Sequence, residues 1–260
     1  MHPPLQGFRV LDLTIYQQGP SGTTMLADLG AEVIKVEEPV EGDPGRKVMH
    51  LLEATTGVPP TNPNYYFESH NRGKKSLAVD LKQKQGQEVL HRLIEKSDVF
   101  ASNFREETLE RLNLGYSKLR RLNPRLIYAL ASGFGAKGPD ASKPAFDLTA
   151  QARSGIMSIV TEMGHSPLDA GVGIADQLGG IMLSYGVIVA LLVRQQTGVG
   201  QKLDVSLLGG LVALQTMWLQ AFILCGQQPV KKPRTETRSP FWNTYQAKDG
   251  KWFCLSMGHS

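Results

Sequence analysis

Cysteine is scarce in this chain of 260 residues, which contains only Cys225 and Cys254. The two follow no metal-binding or redox spacing, and the six histidines include no H-x-x-x-H pair. These absences argue against a disulfide framework and against a zinc site. Because the chain begins MHPPLQGFRVLDLT, without a charged and then apolar leader, we expect a cytoplasmic protein with no bound metal.

Three common functional motifs are missing as well. The chain has no Walker motif for nucleoside triphosphates and no G-x-S-x-G elbow of a serine hydrolase. The loop after the first predicted strand, residues 16–20, lacks the G-x-G-x-x-G turn of a dinucleotide site. The acidic pair Glu37 and Glu38, at the end of the second predicted strand, would otherwise suit a nicotinamide ribose. A dehydrogenase is therefore disfavoured.

Charge and hydropathy argue against two further classes of partner. The formal net charge is +4 and the pI is about 9.0, a mild balance that suits an anionic ligand but not nucleic acid. The densest basic cluster, Lys231, Lys232 and Arg234, lies beside two prolines and is interpreted as a solvated linker. The longest apolar run, residues 178–193, is short for a bilayer and lacks aromatic flanks. We therefore expect a buried core helix and no membrane span.

The composition that is present favours a soluble α/β protein. Hydrophobic residues make up 41% of the chain and glycine contributes 27 residues, which suits many tight turns between strands and helices. Residues 9–14 are predicted to form a strand, Ser21 to cap a helix that ends at Gly30, and residues 32–37 to form the next strand. This βαβ unit predicts a Rossmann-like parallel sheet whose ligand site includes the loop at residues 16–20.

The later pattern extends this sheet and then begins a second domain. Further strands are predicted at residues 77–81, 98–102, 126–131 and 202–205. Helices are predicted around residues 89–94, 144–154 and 206–225, and a loop at 40–64. We expect a large domain at residues 1–226, a linker at 227–240, and the start of a smaller α+β domain, opening with a hairpin, at 241–260.

Asp176 stands at the mouth of the long apolar helix. Gly171 and Gly173 lead into it, and the free N–H groups and macrodipole of a helix N-terminus favour a negative charge by about 0.3–1 kcal/mol. Two interpretations stay open on the local sequence: Asp176 is only an N-cap, or it is an ionised nucleophile. Gly179 and Gly180 are unfavourable inside a helix and predict the close approach of a ligand or a packed neighbour.

Basic side chains near predicted strand ends are candidates for an anion site. Arg72, Lys74 and Lys75 surround a glycine before a strand, where they could grip phosphates or form an ordinary solvated turn. Arg105 follows the carboxyl end of the strand at residues 98–102, a position that faces ligands in a parallel sheet. Arg105 is therefore a better candidate for a phosphate contact than an arginine elsewhere on the surface.

Several segments occur together in an order typical of one enzyme family. They are PLQGFRVLDLT, QGP, LGAEVIKVE, GDPGR, NRGKKSLAVDL, NFR with ERLNLGY, NPRLIYALASGFGAKGP, PAFDLTAQARSG, IADQLGG and RQQTGVGQKLDVSLL. Over about residues 5–255 the chain resembles the class III CoA-transferase family, which includes formyl-CoA, carnitine and bile-acid CoA-transferases and the related 2-methylacyl-CoA racemases. The resemblance implies a CoA-binding catalytic domain, acyl-CoA and a carboxylic acid as substrates, and a homodimer of interlocked subunits.

The resemblance also implies roles for individual residues. Asp176 would attack the acyl-CoA thioester, and CoA would reach the acceptor carboxylate through an aspartyl anhydride and an aspartyl-CoA thioester. The residues implied to contact CoA are Tyr16 and Gln17 along its arm, Arg72, Lys74, Lys75 and Arg105 at its nucleotide and phosphates, and Lys137 at the pantetheine entrance. Glu38 departs from the family pattern, which can carry a basic residue at that position.

Three functions stay open: a CoA-transferase that uses Asp176, a CoA-thioester racemase of the same fold, and a non-catalytic member that binds CoA or a partner. Racemases of this family carry a histidine directly before the aspartate that matches Asp147, where this chain has Phe146. Phenylalanine cannot exchange a proton, so we expect transfer and no racemisation. Because family members are longer, we also expect this chain to be a fragment that associates and shows little activity alone.

Overall fold

A computed structural model describes residues 2–228, 233–236 and 239–256 of the chain. These residues include a six-stranded parallel sheet and a separate two-stranded antiparallel hairpin. The sheet strands are Arg9–Leu13 (β1), Glu32–Glu37 (β2), Lys75–Ala78 (β3), Val99–Ser102 (β4), Ile127–Ser132 (β5) and Lys202–Ser206 (β6). The hairpin strands are Trp242–Gln246 (β7) and Trp252–Ser256 (β8). The predicted α/β class with a Rossmann-like parallel sheet is confirmed.

Helices cover both faces of the sheet. They are Gln18–Asp28 (α1), Met49–Thr56 (α2), Tyr65–Asn71 (α3), Lys84–Ile94 (α4), Glu106–Arg111 (α5), Tyr116–Leu122 (α6), Asp147–Ser154 (α7), Ile156–Val160 (α8), Ile174–Thr197 (α9), Leu207–Leu214 (α10) and Thr216–Cys225 (α11). Leu26 of α1 and Leu183 of α9 are buried on one face, and Leu90 of α4 and Leu119 of α6 on the other. Strands covered on both faces are continuous apolar runs, such as IYALA in β5.

The strand order is β3-β2-β1-β4-β5-β6, so the chain winds outward in two directions from β1 and β4. The two strands lie side by side with Leu13 opposite Ser102 at their carboxyl ends. The connections that follow them run to opposite halves of the sheet and leave a crevice between them. In a doubly wound sheet this switch point is where ligands bind. It lies where the loops singled out in the sequence, after β1 and after β4, come together.

Helix α9 is the apolar helix predicted around Asp176. It begins after Gly173 and ends before Gly198, both in the left-handed region that glycine tolerates (φ 58° and 74°). A Cβ atom on Gly180 would lie 2.8 Å from Cβ of Ser21 in α1. The close approach predicted from the paired glycines is therefore confirmed. By length and composition α9 could cross a membrane, and here part of its apolar surface is buried against the sheet, as predicted for a core helix.

Two predictions near the start of the chain are wrong. Ser21 does not cap α1, which begins at Gln18; the Ser21 hydroxyl instead donates to the carbonyl of Gln17 (2.7 Å). Pro20 fits inside the first turn because the N–H that it lacks would have no partner within the helix. Residues 40–64 are not a plain loop, since they contain a short 3₁₀ helix at Pro44–Lys47 and the helix α2.

The single helix predicted for residues 206–225 is also wrong. Ser206 does cap α10, because its Oγ accepts from the N–H of Gly209 (3.0 Å). At Gln215 the chain bends, so that α10 and α11 meet at 70°. The amide of Gln215 donates to the carbonyl of Ser154 (3.2 Å), a tertiary contact that local apolarity does not show.

The end of the chain agrees with the sequence where it is described. The hairpin predicted after residue 241 is present as β7 and β8. The predicted linker, residues 227–240, includes 229–232 and 237–238, which lie outside the described residues. Lys231 and Lys232 of the basic cluster lie there too, and the side chain of Arg234 is likewise outside the description.

Candidate active site

A cavity of about 390 Å³ opens at the switch point of the sheet. Its walls come from the loops after β1, β4 and β5, from the segment before α7, and from the first turn of α9. The wall includes Tyr16, Gln17, Arg105, Phe146 and Asp176. Four of these were singled out in the sequence for a CoA site, and Phe146 was singled out for the absence of racemisation.

The loop after β1 has an unusual backbone conformation. Tyr16 has a φ of 62°, in the left-handed region that residues other than glycine rarely adopt. Its N–H donates to Oδ1 of Asp43 (3.1 Å), and the side chain of Asn103 binds both the N–H and the carbonyl of Ile15 (2.9 and 2.8 Å). Because groups that follow β2 and β4 hold the loop from two sides, Tyr16 and Gln17 keep fixed positions on the cavity wall.

Two buried ion pairs support this loop. Nζ of Lys35 lies 2.7 Å from Oδ2 of Asp43 and donates to the carbonyl of Thr14 (2.8 Å). Nζ of Lys74 lies 3.0 Å from Oδ2 of Asp12. Burial acts to raise the pKa of Asp12, but the charges of Lys74 and Lys35 outweigh it and leave that pKa below its ordinary value. Burial also lowers the pKa of Lys74 to about 8, against the attraction of Asp12.

Asp176 lies in the first turn of α9 and is half-buried on the cavity wall. It is not the N-cap, which is Gly173. None of the described residues donates a hydrogen bond to the Asp176 carboxylate or forms an ion pair with it. Burial, and then the charge of Asp147, raises the pKa of Asp176 from 3.8 to about 7. The expectation that free helix N–H groups keep this aspartate readily ionised is therefore wrong in this environment.

The N-terminus of α9 is capped by a residue of another helix. Oδ1 of Asp147, the first residue of α7, accepts from the N–H groups of Ala175 (2.7 Å) and Asp176 (3.0 Å). Its other oxygen accepts from Nε2 of Gln151 (2.5 Å). Asp147 was noted in the sequence only as the neighbour of Phe146. The sequence can show that an aspartate stands at the start of α7, but it cannot show that this aspartate caps α9.

Gln17 and Phe146 complete the wall near Asp176. A Cβ atom on Gly173 would lie 2.6 Å from Nε2 of Gln17, so the Gln17 amide packs closely against the start of α9, where the φ of 58° favours glycine. The ring of Phe146 meets the ring of Tyr16 edge to face, with 6.1 Å between centroids. The two rings place apolar surface at the mouth of the site.

The basic residues predicted to bind phosphate are separated by the fold. Arg105 is exposed on the cavity wall just before α5. Lys74 is almost fully buried, and its Nζ donates to a backbone carbonyl, to Thr23 and to Asn71 (2.9–3.0 Å) as well as to Asp12. An ammonium group with its donors engaged in this way has none left for a phosphate. The structure therefore corrects the predicted role of Lys74 to a structural one.

Arg72 and Lys75 do not line the cavity either. Arg72 pairs with Asp28 at the end of α1 (2.5 Å). Lys75 begins β3 and pairs with Glu32, which begins β2 (2.6 Å). The cavity lies at the carboxyl ends of the strands, so this ion pair is at the opposite edge of the sheet. The contacts of both residues with CoA, as predicted, have no support in this geometry.

Lys137 and Glu38 lie at the margin of the site. Lys137 is exposed in the loop after β5, one residue beyond Ala136 of the cavity wall, so its place at an entrance stays a prediction. Glu38 accepts from the N–H groups of Val40 and Glu41 in its own turn (2.9 and 2.5 Å). Within the described ranges, no three His, Cys, Asp or Glu side chains form a group that could hold a metal ion.

Comparison with known proteins identifies the family. A family model described as CoA-transferase family III matches residues 5–260. The chain belongs to CoA-transferase family III. The resemblance drawn from the ordered motifs is thereby confirmed.

Relatives of this family III chain include named transferases. It is 38% identical over 261 residues to acetyl-CoA:oxalate CoA-transferase of Acetobacter aceti, and the match covers 98% of this chain and 64% of that enzyme. It is 35% identical to (R)-2-hydroxy-4-methylpentanoate CoA-transferase of Clostridioides difficile, over 97% of the chain and 62% of that enzyme. The crystal structure of a CAIB/BAIF family protein from Brucella suis has a TM-score of 0.87 at 32% identity, over 98% of this chain and 66% of that one. The chain thus spans less than two thirds of these relatives.

Proposed function

We propose that this protein transfers CoA from an acyl-CoA thioester to a carboxylic acid, with the carboxylate of Asp176 as the nucleophile. The position of Asp176 carries the proposal, because its half-buried carboxylate lies on the wall of the cavity at the switch point and has no paired cation among the described residues. The names of the relatives support the reaction class. With a pKa of about 7, the Asp176 carboxylate is more basic than an exposed aspartate and therefore more nucleophilic once ionised.

The first half of the reaction loads CoA onto the protein. An oxygen of Asp176 attacks the thioester carbon, a C–O bond forms, and the C–S bond breaks to release CoA as a thiolate. The thiolate then attacks the Asp176 carbon of the mixed anhydride. The donor acid leaves as a carboxylate, and CoA remains on Asp176 as a thioester.

The second half repeats these steps with the acceptor. A carboxylate oxygen of the acceptor attacks the Asp176 carbonyl, and CoA leaves again as a thiolate. The thiolate attacks the acceptor carbon of the new anhydride, which yields the product acyl-CoA and restores Asp176. Water would hydrolyse either intermediate, and we propose that the apolar surface of Tyr16 and Phe146 limits its access once the substrate is bound.

We assign the recognition of CoA to those predicted contact residues that lie on the cavity wall. Arg105 is the cation that we assign to a phosphate, because Lys74 is engaged in the interior and Lys143 of the same wall is paired with Asp140 (2.6 Å). Tyr16 and Gln17 lie on the same wall and are proposed to contact the CoA arm. The N–H of Gly135, in the loop after β5, is already bonded to Oγ of Ser132 (3.0 Å), so we do not assign it to the developing oxyanion.

Chemical trapping tests the nucleophile. The protein is incubated with acetyl-CoA or succinyl-CoA, reduced with borohydride, digested and analysed by mass spectrometry. Borohydride converts an aspartyl thioester to the alcohol, so we expect the reduced residue at position 176. Asp176→Asn should lose the adduct but still bind acyl-CoA, because it keeps Arg105 and the loop after β1. The matched control Asp169→Asn should keep the adduct, and an adduct on another residue would contradict the mechanism.

Substrate choice is open to a direct survey. The relatives act on different acids, as their names state, and a panel of donors and acceptors read by mass spectrometry will define the pair used here. The homodimer and the cytoplasmic location implied by the sequence stay predictions.

A further inference from the structure

Gln151 is a fully buried amide at the centre of a network around the start of α9. Its Nε2 donates to Oδ2 of Asp147 (2.5 Å) and to Oδ1 of Asp169 (2.8 Å), and its Oε1 accepts from the N–H of Ala170 (3.1 Å). Because both amide hydrogens serve carboxylates, the orientation of the amide is determined. The network joins α7 to the segment that leads into α9.

Asp147 extends this network to the nucleophile. One of its oxygens is held by Gln151, and the other accepts from the N–H groups of Ala175 and Asp176. N–H groups in the first turn of a helix have no partner within the helix, and Gly173 at the N-cap has no side chain to supply one. Asp147 therefore supplies from α7 what an N-cap side chain would supply within α9.

We propose that Asp147 is a positioning residue for Asp176: it holds the main chain at the nucleophile and places a second carboxylate beside it, while Gln151 keeps Asp147 in that orientation. This inference rests on the proposed function of Asp176 as the nucleophile. Asp147 is not on the cavity wall, so it acts through Asp176 and not on the substrate.

The second carboxylate favours acylation of Asp176. While both groups are ionised they repel each other, and formation of a bond from Asp176 to an acyl carbon removes its charge and the repulsion with it. The charge of Asp147 therefore destabilises the free carboxylate more than the acylated one, a difference that accelerates the chemical step. The repulsion also favours the protonated form of Asp176, so the pH determines the fraction that can react.

Other charged and titratable groups face Asp176 and must be held constant in a test. Tyr66 of α3 interacts electrostatically with it. The cavity wall also carries Tyr16, Arg105, Glu106, Glu107, Lys143 and Asp204. A substitution at Asp147 leaves all of these groups in place, so a change in the titration of Asp176 reports on Asp147.

The test is an NMR titration of the Asp176 carboxyl carbon in the protein without acyl-CoA, together with hydrogen exchange of the amides of Ala175 and Asp176. In Asp147→Asn the charge is gone and the side-chain oxygen can still accept both N–H bonds, but the new NH2 group replaces the oxygen that accepted from Gln151. We expect the titration midpoint of Asp176 to fall by roughly one unit, with both amides more protected than in Asp147→Ala. In Asp147→Ala the bonds are lost as well, so both amides should exchange faster.

Asp169→Asn is the matched control, because it removes an exposed carboxylate from the same network without touching α9. It should leave the midpoint of Asp176 unchanged. A folded Asp147→Asn protein with an unchanged midpoint would overturn the proposal. If that variant does not fold, Gln151→Met releases Asp147 without removing it, and full protection of both amides there would overturn the proposal equally. Since no acyl-CoA is used, failure here counts against the positioning role, whereas a missing adduct counts against the proposed function.

Discussion

Nζ of Lys35 lies 2.7 Å from Oδ2 of Asp43, and both side chains are almost completely buried. The other oxygen of Asp43 accepts from the N–H groups of Tyr16 and Gly45 (3.1 and 2.7 Å). One carboxylate thus neutralises a lysine of the sheet and holds the left-handed Tyr16 at the cavity. The stability of the core and the geometry of the site therefore depend on the same ion pair.

Lys35→Met should destabilise the protein by roughly 3–5 kcal/mol, because it leaves the charge of Asp43 buried without a partner. Urea unfolding measures the change. Lys75→Met is the matched control, since it breaks an ion pair of the same sheet whose lysine is exposed, and should lower the free energy of unfolding by at most about 1 kcal/mol. Equal effects of the two substitutions would show that the buried pair does not support the fold.

Asp176→Asn should make the protein more stable at neutral and higher pH. Folding raises the pKa of Asp176 from 3.8 to about 7, so the native state binds more protons than the unfolded state between these values. The free energy of unfolding of the wild type therefore falls as pH rises through this interval. Asparagine cannot ionise, so the variant avoids a penalty of up to about 4 kcal/mol above pH 7.

Urea unfolding of both proteins from pH 4 to pH 8 measures this difference. The two curves should converge at the acid end of the range, where Asp176 is protonated in the native state. A constant difference at all pH values would mean that the carboxyl group of Asp176 titrates normally and is not desolvated.

Arg105→Ala should weaken CoA binding roughly ten- to hundredfold, the loss of one charge-assisted contact to a phosphate. Isothermal titration with CoA measures the affinity. Lys75→Ala removes an exposed cation from the opposite edge of the sheet and should leave the affinity unchanged. If the Lys75 variant lost affinity and the Arg105 variant kept it, the phosphate site would lie away from this cavity.

No epimerisation of a 2-methylacyl-CoA is expected. The position before Asp147 carries Phe146, whose ring packs on Tyr16 and has no group that accepts a proton. A substrate deuterated at the α-carbon should keep its label after incubation in ordinary water. Mass spectrometry measures the label, and its loss would show that another base reaches the α-carbon.

Much of the fold could be predicted because its signals are local. The run in β5 is apolar throughout, as expected of a strand covered on both faces, and the first βαβ unit implies a parallel sheet. A parallel sheet in turn places its ligand at the carboxyl ends of the strands. For this reason the neighbours Tyr16 and Gln17 could be expected in one cavity with the distant Arg105, whereas Asp176 was joined to them by the family resemblance.

The parts that could not be predicted depend on contacts between distant segments. Lys74 and Lys75 are adjacent residues of the same type, and only the fold makes one buried and the other exposed. The environment of Asp176 was misjudged for the same reason, since its helix looks uncapped until Asp147 of α7 is placed against it. Residue propensities can locate the end of a helix, but they do not identify the distant side chain that binds its free N–H groups.

The central claim is that the carboxyl oxygens of Asp176 take part in the chemistry. In the proposed reaction the bridging oxygen of the second anhydride comes from the acceptor carboxylate. When the thiolate attacks the acceptor carbon, the bond between that carbon and the bridging oxygen breaks, so the oxygen stays on Asp176. Turnover with an acceptor carboxylate labelled with ¹⁸O, followed by digestion and mass spectrometry, should therefore place ¹⁸O in the peptide that contains Asp176. Formation of product acyl-CoA without label in that peptide would contradict the account.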